Sequence, residues 1–452
     1  MSRQNFFSLL ATVGLYVLAL AVAYSAPSRE SKQDYDLVKL MVDVLYEVEH
    51  KGLKEMNHEE KEQFVADCIN GGLQKLYPHS AYISPRAYKQ FDSRSEGKFG
   101  GVGIQVSMEG GQLVVISPIA GTPAYKAGVL AGDIILKVDD KSIDGMTMTE
   151  VVERIQGDPG EKVVLTVVHE GGKETVDIPI VRDIILIHSV LGDSRKPNNP
   201  EEWDYLLDKK NKIGYVRLTG FSKTAPEELK AVLEDLKGQG MRGLILDLRN
   251  NPGGLLLSAV EIADMFLDKG VIVTTKGRYY RPEIYKASPG TTLLGGDANK
   301  GIPVAVLVNR YSASASEILS AALQDHQRAK VIGERTYGKG SVQNVILLEN
   351  GGALKLTTSS YRRPSGKNIH RFPDSKEEDE WGVLPDPGFK VELTLEERRD
   401  YLIDRSERDI IHANNGKEEP QTRDKKPFVD KVLEKGLEHI REEIARGKRS
   451  AA

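Results

Sequence analysis

Apolar and polar positions change their period repeatedly along this 452-residue chain, and each change predicts a different kind of element. An uncharged run from Phe6 to Ala23 comes first, behind Arg3. Leu37, Leu40, Met41, Val44, Leu45 and Val48 then recur at helical spacing. Phe64, Val65, Cys68, Ile69, Leu73 and Leu76 repeat that pattern, and Tyr77-Pro78 ends it because proline resists continuing a helix. From Gly97 to Val181 the runs shorten to strands near 102–106, 113–116, 134–138, 163–168 and 175–180. Glu109-Gly110-Gly111 and Glu170-Gly171-Gly172 read as turns, and one helix fits 147–155. Further on, strand-like runs at 212–218, 244–248 and 304–308 alternate with helical patterns at 225–236, 257–266 and 318–323. That alternation predicts a mainly parallel sheet. Near the C-terminus Val429, Leu433, Leu437, Ile440 and Ile444 form one stripe, which predicts a last helix that docks or pairs.

These patterns predict an α/β multidomain chain. Residues 1–26 form a signal peptide or membrane anchor, 34–95 a helical unit, 96–183 a β-rich domain, 184–395 an α/β core, and 396–452 a charged extension with a terminal helix. Within the extension, 414–427 reads as an exposed linker. The length and element order of 96–183 resemble a PDZ domain, which binds an extended peptide tail as an added strand beside a glycine-containing loop. Phe99-Gly100-Gly101-Val102-Gly103 is the candidate loop.

Composition narrows the function. Hydrophobic residues make up 40% and charged residues 28%, which is enough apolar material to bury a core. The net charge of -4 offers no global basic field for nucleic acid. The single cysteine, Cys68, excludes an intramolecular disulfide framework and is expected to be a small buried apolar residue. The Phe6–Ala23 run ends in small residues, as a secretory signal or an uncleaved anchor does, so the rest is expected in an extracytoplasmic compartment.

The chemistry concentrates in two short segments. Ser312-Ala313-Ser314-Ala315-Ser316-Glu317 comes after the strand at 304–308 and opens an apolar helix. A hydroxyl at such a turn sits where a helix N-terminus favours negative charge. Gly338-Lys339-Gly340-Ser341-Val342-Gln343 comes next, and a lysine can act as base where burial lowers its pKa. Together they suggest a Ser-Lys nucleophilic hydrolase. Ser314-x-x-Glu317 also fits a capping box, a purely structural role that does not exclude catalysis. Gly333 to Lys339 matches the start of a phosphate loop, but Gly340 replaces the required Ser or Thr and a strand pattern stands in place of the helix. No HExxH, paired-cysteine or GxSxG pattern occurs, and no metal or cofactor is expected. His326 falls about three helical turns from the serines and reads as a surface residue. The glycines at Asn250-Asn251-Pro252-Gly253-Gly254 leave backbone N–H groups open to close approach, or make a plain turn.

With these residues in view, the chain resembles the carboxyl-terminal processing proteases, also called tail-specific proteases. The matching pieces are Asn309 to Ile318, Gly338 to Gln343, Tyr77-Pro-His-Ser80, Phe99 to Gly103, Asp247 to Gly254, Pro364-Ser-Gly366 and Gly382-Val-Leu-Pro-Asp386, in family order over about 35–390. The resemblance implies a serine endopeptidase that cleaves proteins near their C-termini and reads free apolar tails with its PDZ domain. It puts the nucleophile on Ser314, the base on Lys339 and the lysine-positioning role on Gln343. Backbone N–H groups of Ala315 and of Gly253 or Gly254 would form the oxyanion hole. An adaptor and a homo-oligomer are left open, and nucleic acid is not among the partners. Tyr77 stands where the family usually has Asp, and Gln156-Gly157 where many members have Arg-Gly, which questions regulation through that arginine. The alternative function is a catalytically silent PDZ scaffold on the same fold.

Overall fold

The structure is a computed structural model that describes residues 29–295, 301–411 and 428–450. The Phe6–Ala23 run and the linker expected over 414–427 lie outside the described residues. Among the described residues no helix is long and apolar enough to cross a membrane.

Two compact units divide at Leu76–Tyr77. The first holds the helices Arg29–Lys51 and His58–Leu76, tied by Lys61 to Glu49, with Lys54 of the connecting loop paired to Glu60. The expected helical unit of 34–95 is therefore cut, and the helix Pro85–Ser95 belongs to the second unit. Burial corrects a second expectation. Cys68 is exposed, and no residue of its helix is buried, because a two-helix unit has too little apolar surface to enclose a core.

The second unit contains the PDZ-like domain and the α/β core. In the PDZ-like domain Ile104–Glu109, Gln112–Pro118, Ile134–Val138, Lys162–Val168 and Thr175–Val181 make one antiparallel sheet in that order, with Lys141–Ser142 at the side of Ile134–Val138. Alternate residues Leu113, Val115, Val163, Leu165, Val167, Ile178 and Ile180 face a core closed by Val151 and Ile155 of the helix Met148–Ile155. Ile104–Glu109 is one edge strand of this sheet, and Thr175–Val181 is the other. The strand expected over 102–106 is broken at Val102-Gly103, since Gly103 takes φ +83° and a Cβ there would stand 2.4 Å from Thr122. Lys98–Gly101 pairs antiparallel with Asp183–Leu186, so the entering and leaving segments of the domain hold each other.

The α/β core is built on a sheet ordered Val190–Leu191, Ile213–Leu218, Gly243–Asp247, Val304–Val308 and Lys330–Gly333, the last four parallel. Every residue of its three central strands is buried, as expected when both faces are covered. Helices Ala225–Gly238, Leu256–Asp264 and Ala315–Asp325 contribute Leu229, Leu233, Ile262, Ile318 and Leu319 to one core. Leu437, Ile440 and Ile444 of the terminal helix Lys431–Ser450 pack with Ile213, Tyr215, Ile245, Leu307 and Ile332 in another. Gly243 permits that approach, because a Cβ there would stand 2.3 Å from Ile440. A second sheet, with Ser341–Leu347 on Ala353–Arg362, lies beyond the lysine loop.

Candidate active site

Three loops leave the C-terminal ends of the parallel strands Gly243–Asp247, Val304–Val308 and Lys330–Gly333. That end of an open parallel sheet is where α/β folds place ligands. The first loop carries Gly253-Gly254, the second Ser314 and the third Lys339, so all three enter the site from adjacent strands.

Ser314 has φ +57°, a left-handed conformation costing about 1–3 kcal/mol for a residue with a side chain. It stands immediately before the helix Ala315–Asp325, partly exposed, at the positive end of the helix dipole. Its neighbours differ from it in what their hydroxyls do. The Ser312 hydroxyl donates to the Leu248 carbonyl at 2.8 Å, and that of Ser316 to the Asn251 carbonyl at 3.0 Å. Both serines are fully buried and stitch the serine loop to the glycine loop. A reciprocal pair, Asn250 N–H to Asn309 Oδ1 at 3.0 Å and Asn309 Nδ2 to Asn250 Oδ1 at 2.9 Å, adds to that seam.

Glu317 joins the serine loop to the lysine loop. Its Oε2 accepts the N–H groups of Ser314 and of Lys339, each at 2.8 Å. Its Oε1 accepts the Thr336 hydroxyl at 2.6 Å and the Gly338 N–H at 2.7 Å. The carboxyl is completely buried, and burial pushes its pKa up to about 7 against the pull of these four donors. The sequence showed Glu317 only as a capping partner; that its carboxylate would be shared with a loop 21 residues on has no local signal.

Lys339 is half-buried, and burial, reinforced by the Lys355 cation and opposed by Glu317, lowers its pKa. The Tyr361 hydroxyl meets both the Lys339 carbonyl and the Ser314 side chain, and burial holds that phenol well above its ordinary range. His79, from the Tyr77–Ser80 match, lies close enough to Lys339 that burial and then this cation lower its pKa. Ser80 Oγ accepts the Thr357 N–H at 2.9 Å and fixes that segment beside the second sheet. Neither Tyr361 nor His79 carried a spacing signal tying it to the serine.

The lysine loop has an aromatic support. A Cβ on Gly338 would come within 3.0 Å of the Trp381 ring. Arg335 lies 3.5 Å and Arg371 4.4 Å from the centre of that ring, and Arg335 donates to the Trp381 carbonyl at 2.9 and 3.0 Å. The charged 371–380 stretch thus folds against the segment that carries Lys339.

The remaining expected residues divide. Gly253 lies against the Ser314 turn, for a Cβ on it would be 2.8 Å from Ser314 Cβ and 2.9 Å from the Ala315 nitrogen. Its N–H, however, is bound to Asn251 Oδ1 at 2.8 Å. Gly254, exposed at φ +150°, and Ala315 at the first helical position make no N–H bond to a backbone or side-chain acceptor among the described residues. Gln343 donates to the Ser341 carbonyl at 3.1 Å and hydroxyl at 2.9 Å, and to Thr357 Oγ1 at 3.4 Å; these bonds do not include Lys339. In the PDZ-like loop Phe99, Gly100 and Gly101 belong to the strand paired with Asp183–Leu186, leaving Val102 and Gly103 outside any strand. His326 is half-buried, with Nε2 2.8 Å from the Val271 carbonyl, rather than a free surface residue.

A family model for peptidase family S41 matches residues 212–386, and a PDZ domain model matches 114–168. The carboxy-terminal-processing protease of Bartonella bacilliformis (strain ATCC 35685 / KC583 / Herrer 020/F12,63) is 39% identical over 363 residues, covering 79% of this chain and 76% of that protein. The carboxy-terminal processing protease CtpA of Bacillus subtilis (strain 168) is 35% identical over 312 residues, 69% of this chain and 62% of its own length. Among solved structures, the photosystem II D1 C-terminal processing protease shares 29% identity over 77% of this chain and 86% of that one, with a TM-score of 0.41. By its relatives and its two matched regions, this chain belongs to the carboxy-terminal processing proteases, serine peptidases of family S41 that carry a PDZ domain.

Proposed function

We propose that the chain is an endopeptidase that cuts protein substrates near their C-termini with a Ser314–Lys339 dyad. The observation that carries this reading is the shared Glu317 oxygen, which holds the backbone of both residues at 2.8 Å. Neutral Lys339 accepts the Ser314 hydroxyl proton as Oγ bonds to the substrate carbonyl carbon. The carbonyl oxygen takes the displaced electron pair and is held by the Ala315 and Gly254 N–H groups, an effect worth ~3–4 kcal/mol per donor. Protonated Lys339 then gives its proton to the leaving amine as the C–N bond breaks, and water cleaves the acyl-enzyme by the reverse route. Gln343 steadies the lysine once its amide turns from Ser341, consistent with catalytic bonds that tighten only with substrate bound. The PDZ-like domain takes free apolar tails along Ile104–Glu109, with Val102 and Gly103 at the carboxylate. The Phe6–Ala23 run behind Arg3 supports an extracytoplasmic address, which N-terminal sequencing and fractionation of the mature protein would check.

The test is cleavage of an unfolded protein with an apolar C-terminus. Ser314→Ala and Lys339→Ala should each lose activity by at least ~1,000-fold. Lys339→Arg should be equally inactive, because a guanidinium stays protonated. Substantial activity in Lys339→Arg would remove lysine as the base. Ser312→Ala and Ser316→Ala should keep the nucleophile and lose ~1 kcal/mol of stability each, through the seam bonds.

A further inference from the structure

Among the described residues, the C-terminal extension reaches the start of the glycine loop through the Asp430–Arg249 ion pair. Asp430, just before the terminal helix, accepts Arg249 Nη1 and Nη2 on separate oxygens, each at 2.8 Å. Arg249 is buried, and its other face is spent on Asp247, with Nε at 3.0 Å from both oxygens and Nη2 at 2.6 Å from Oδ2. Asp247 in turn accepts the Arg249 N–H at 2.9 Å and the Tyr215 hydroxyl at 2.7 Å. The Tyr401 ring, on the first helix of the extension, lies 4.5 Å from the guanidinium centre.

Arg249 is the last residue fixed this way before the chain enters Asn250 at φ +59°, Asn251, Pro252 and the two glycines. Asn251 pins the loop at its middle. Its Nδ2 donates to the Leu218 carbonyl at 2.7 Å, its Oδ1 holds the Gly253 N–H, and its carbonyl receives the Ala313 N–H and the Ser316 hydroxyl, each at 3.0 Å. A left-handed non-glycine residue persists only where its surroundings over-determine it. The buried Asp430–Arg249–Asp247 set is such a constraint at the start of the loop. Bidentate guanidinium–carboxylate pairing fixes direction as well as distance, so losing Asp430 leaves Arg249 anchored on its Asp247 face alone.

We propose that Asp430 is a positioning residue for the peptidase reaction: through Arg249 it holds the loop that presents Gly254 to the oxyanion. The extension is then part of the catalytic apparatus rather than an appendage. This role rests on the Ser314–Lys339 dyad and the Gly254 oxyanion donor proposed for the reaction. It predicts a split between kcat and KM, because an oxyanion donor acts on the transition state and not on substrate binding.

The experiment uses the full chain and an unfolded protein substrate, with thermal melts run beside the kinetics. Asp430→Asn keeps the shape but removes the charge; kcat should fall ~10- to 100-fold, less than deletion of a whole donor, with KM unchanged within about twofold. Arg441→Ala, which removes an ion pair to Asp208 from the same terminal helix, is the control and should keep kcat. Asp430→Glu restores the charge and should recover part of the loss. Should Asp430→Asn melt below the assay temperature, Asp430→Glu carries the test: with its longer arm, reduced kcat at constant KM supports the proposal and wild-type kcat overturns it. Equal losses in Asp430→Asn and Arg441→Ala would also overturn it, leaving only helix docking. If Ser314→Ala is inactive while Asp430→Asn keeps full kcat, only this proposal fails; if Ser314→Ala stays active, the dyad reading fails and takes this one with it.

Discussion

Two helices of this chain, one in the PDZ-like domain and one in the core, begin with the same arrangement and use it differently. Thr147-Met-Thr-Glu150 opens the helix Met148–Ile155, and Ser314-Ala-Ser-Glu317 opens Ala315–Asp325. In the first, Glu150 lies in solvent and bonds only Thr147, whose N–H and hydroxyl together lower its pKa. In the second, Glu317 is buried, its pKa rises to about 7, and its carboxylate binds three further groups from the segment ending in Lys339. A solvated cap stabilises one helix end by itself. A buried one must be paired on every lone pair, and that requirement couples two loops that are distant in sequence. The cap in the core has become a joint between the loops of Ser314 and Lys339.

The sharpest way to break the comparison is Glu317→Gln. One of the two oxygens becomes an NH2 group, which can accept from neither Ser314 and Lys339 nor Thr336 and Gly338. Two buried donors therefore lose their acceptor, at a cost of ~1–3 kcal/mol per unsatisfied group. Activity is expected to fall ~100-fold or more, since a displacement of 1 Å costs about that much. Kinetics on folded protein decides it; a variant within threefold of wild type would reduce Glu317 to an ordinary cap.

A pH series sharpens the comparison next. Lys339 must lose its proton to serve as base, and Glu317 must lose its own to accept four donors, so activity should rise with pH on the acid side through their folded-state values, Glu317 near 7. Stability should move the other way at Glu317. Its folded pKa lies above the ordinary carboxyl value of 4.5, so its contribution is complete below that value and is lost as pH rises to about 7, by ~3 kcal/mol at most. Glu150 has the opposite sign: its pKa is depressed, and its contribution is lost as pH falls. Melting temperatures of wild type and Glu317→Ala across pH 4 to 8 would test it; parallel curves would show that Glu317 titrates normally.

The same division set how far the sequence could reach. Central strands and helices of the core were legible within a few residues, because their apolar runs face buried sheet and helix on both sides, as with Val304–Val308. Leu433 to Ile444 of the expected stripe lie on the docked face of the terminal helix, whereas Val429 precedes that helix and is exposed; nothing in the stripe pointed to Asp430 meeting Arg249, a pair separated by 181 residues. The serine cluster stood out in the sequence, yet what separates Ser314 from its neighbours is structural: its φ of +57°, its partial exposure, and the bonds that hold buried Ser312 and Ser316. Cys68 failed because periodicity predicts an apolar face and not what covers it. Gln343 was placed by resemblance, while the hydrogen bonds of its amide go to its own strand and Thr357.

A smaller effect is expected at the PDZ-like edge, where the proposed recognition is spread over several main-chain contacts. A tail added along Ile104–Glu109 would gain main-chain bonds, and its carboxylate would need the Val102 and Gly103 N–H groups. Binding measured on full-length Ser314→Ala should be about tenfold weaker for an amidated peptide than for its free acid, close to the loss of one charge-assisted hydrogen bond. Equal affinities would mean that the domain does not read the carboxylate.

The smallest change belongs to the solvated cap. Thr147→Ala removes the hydroxyl that accepts the Glu150 N–H at 3.3 Å, and such a cap is worth ~1 kcal/mol. Val151 and Ile155 still hold the helix to the sheet, so the domain stays folded. Because the cap touches neither the Ser314 loop nor the Lys339 loop, kcat should match wild type while the melting temperature drops by a few degrees. Calorimetry beside kinetics reads both quantities. A fall in kcat comparable to that of Glu317→Gln would mean that the PDZ-like helix is coupled to the site after all, and the contrast between a cap and a joint would not stand.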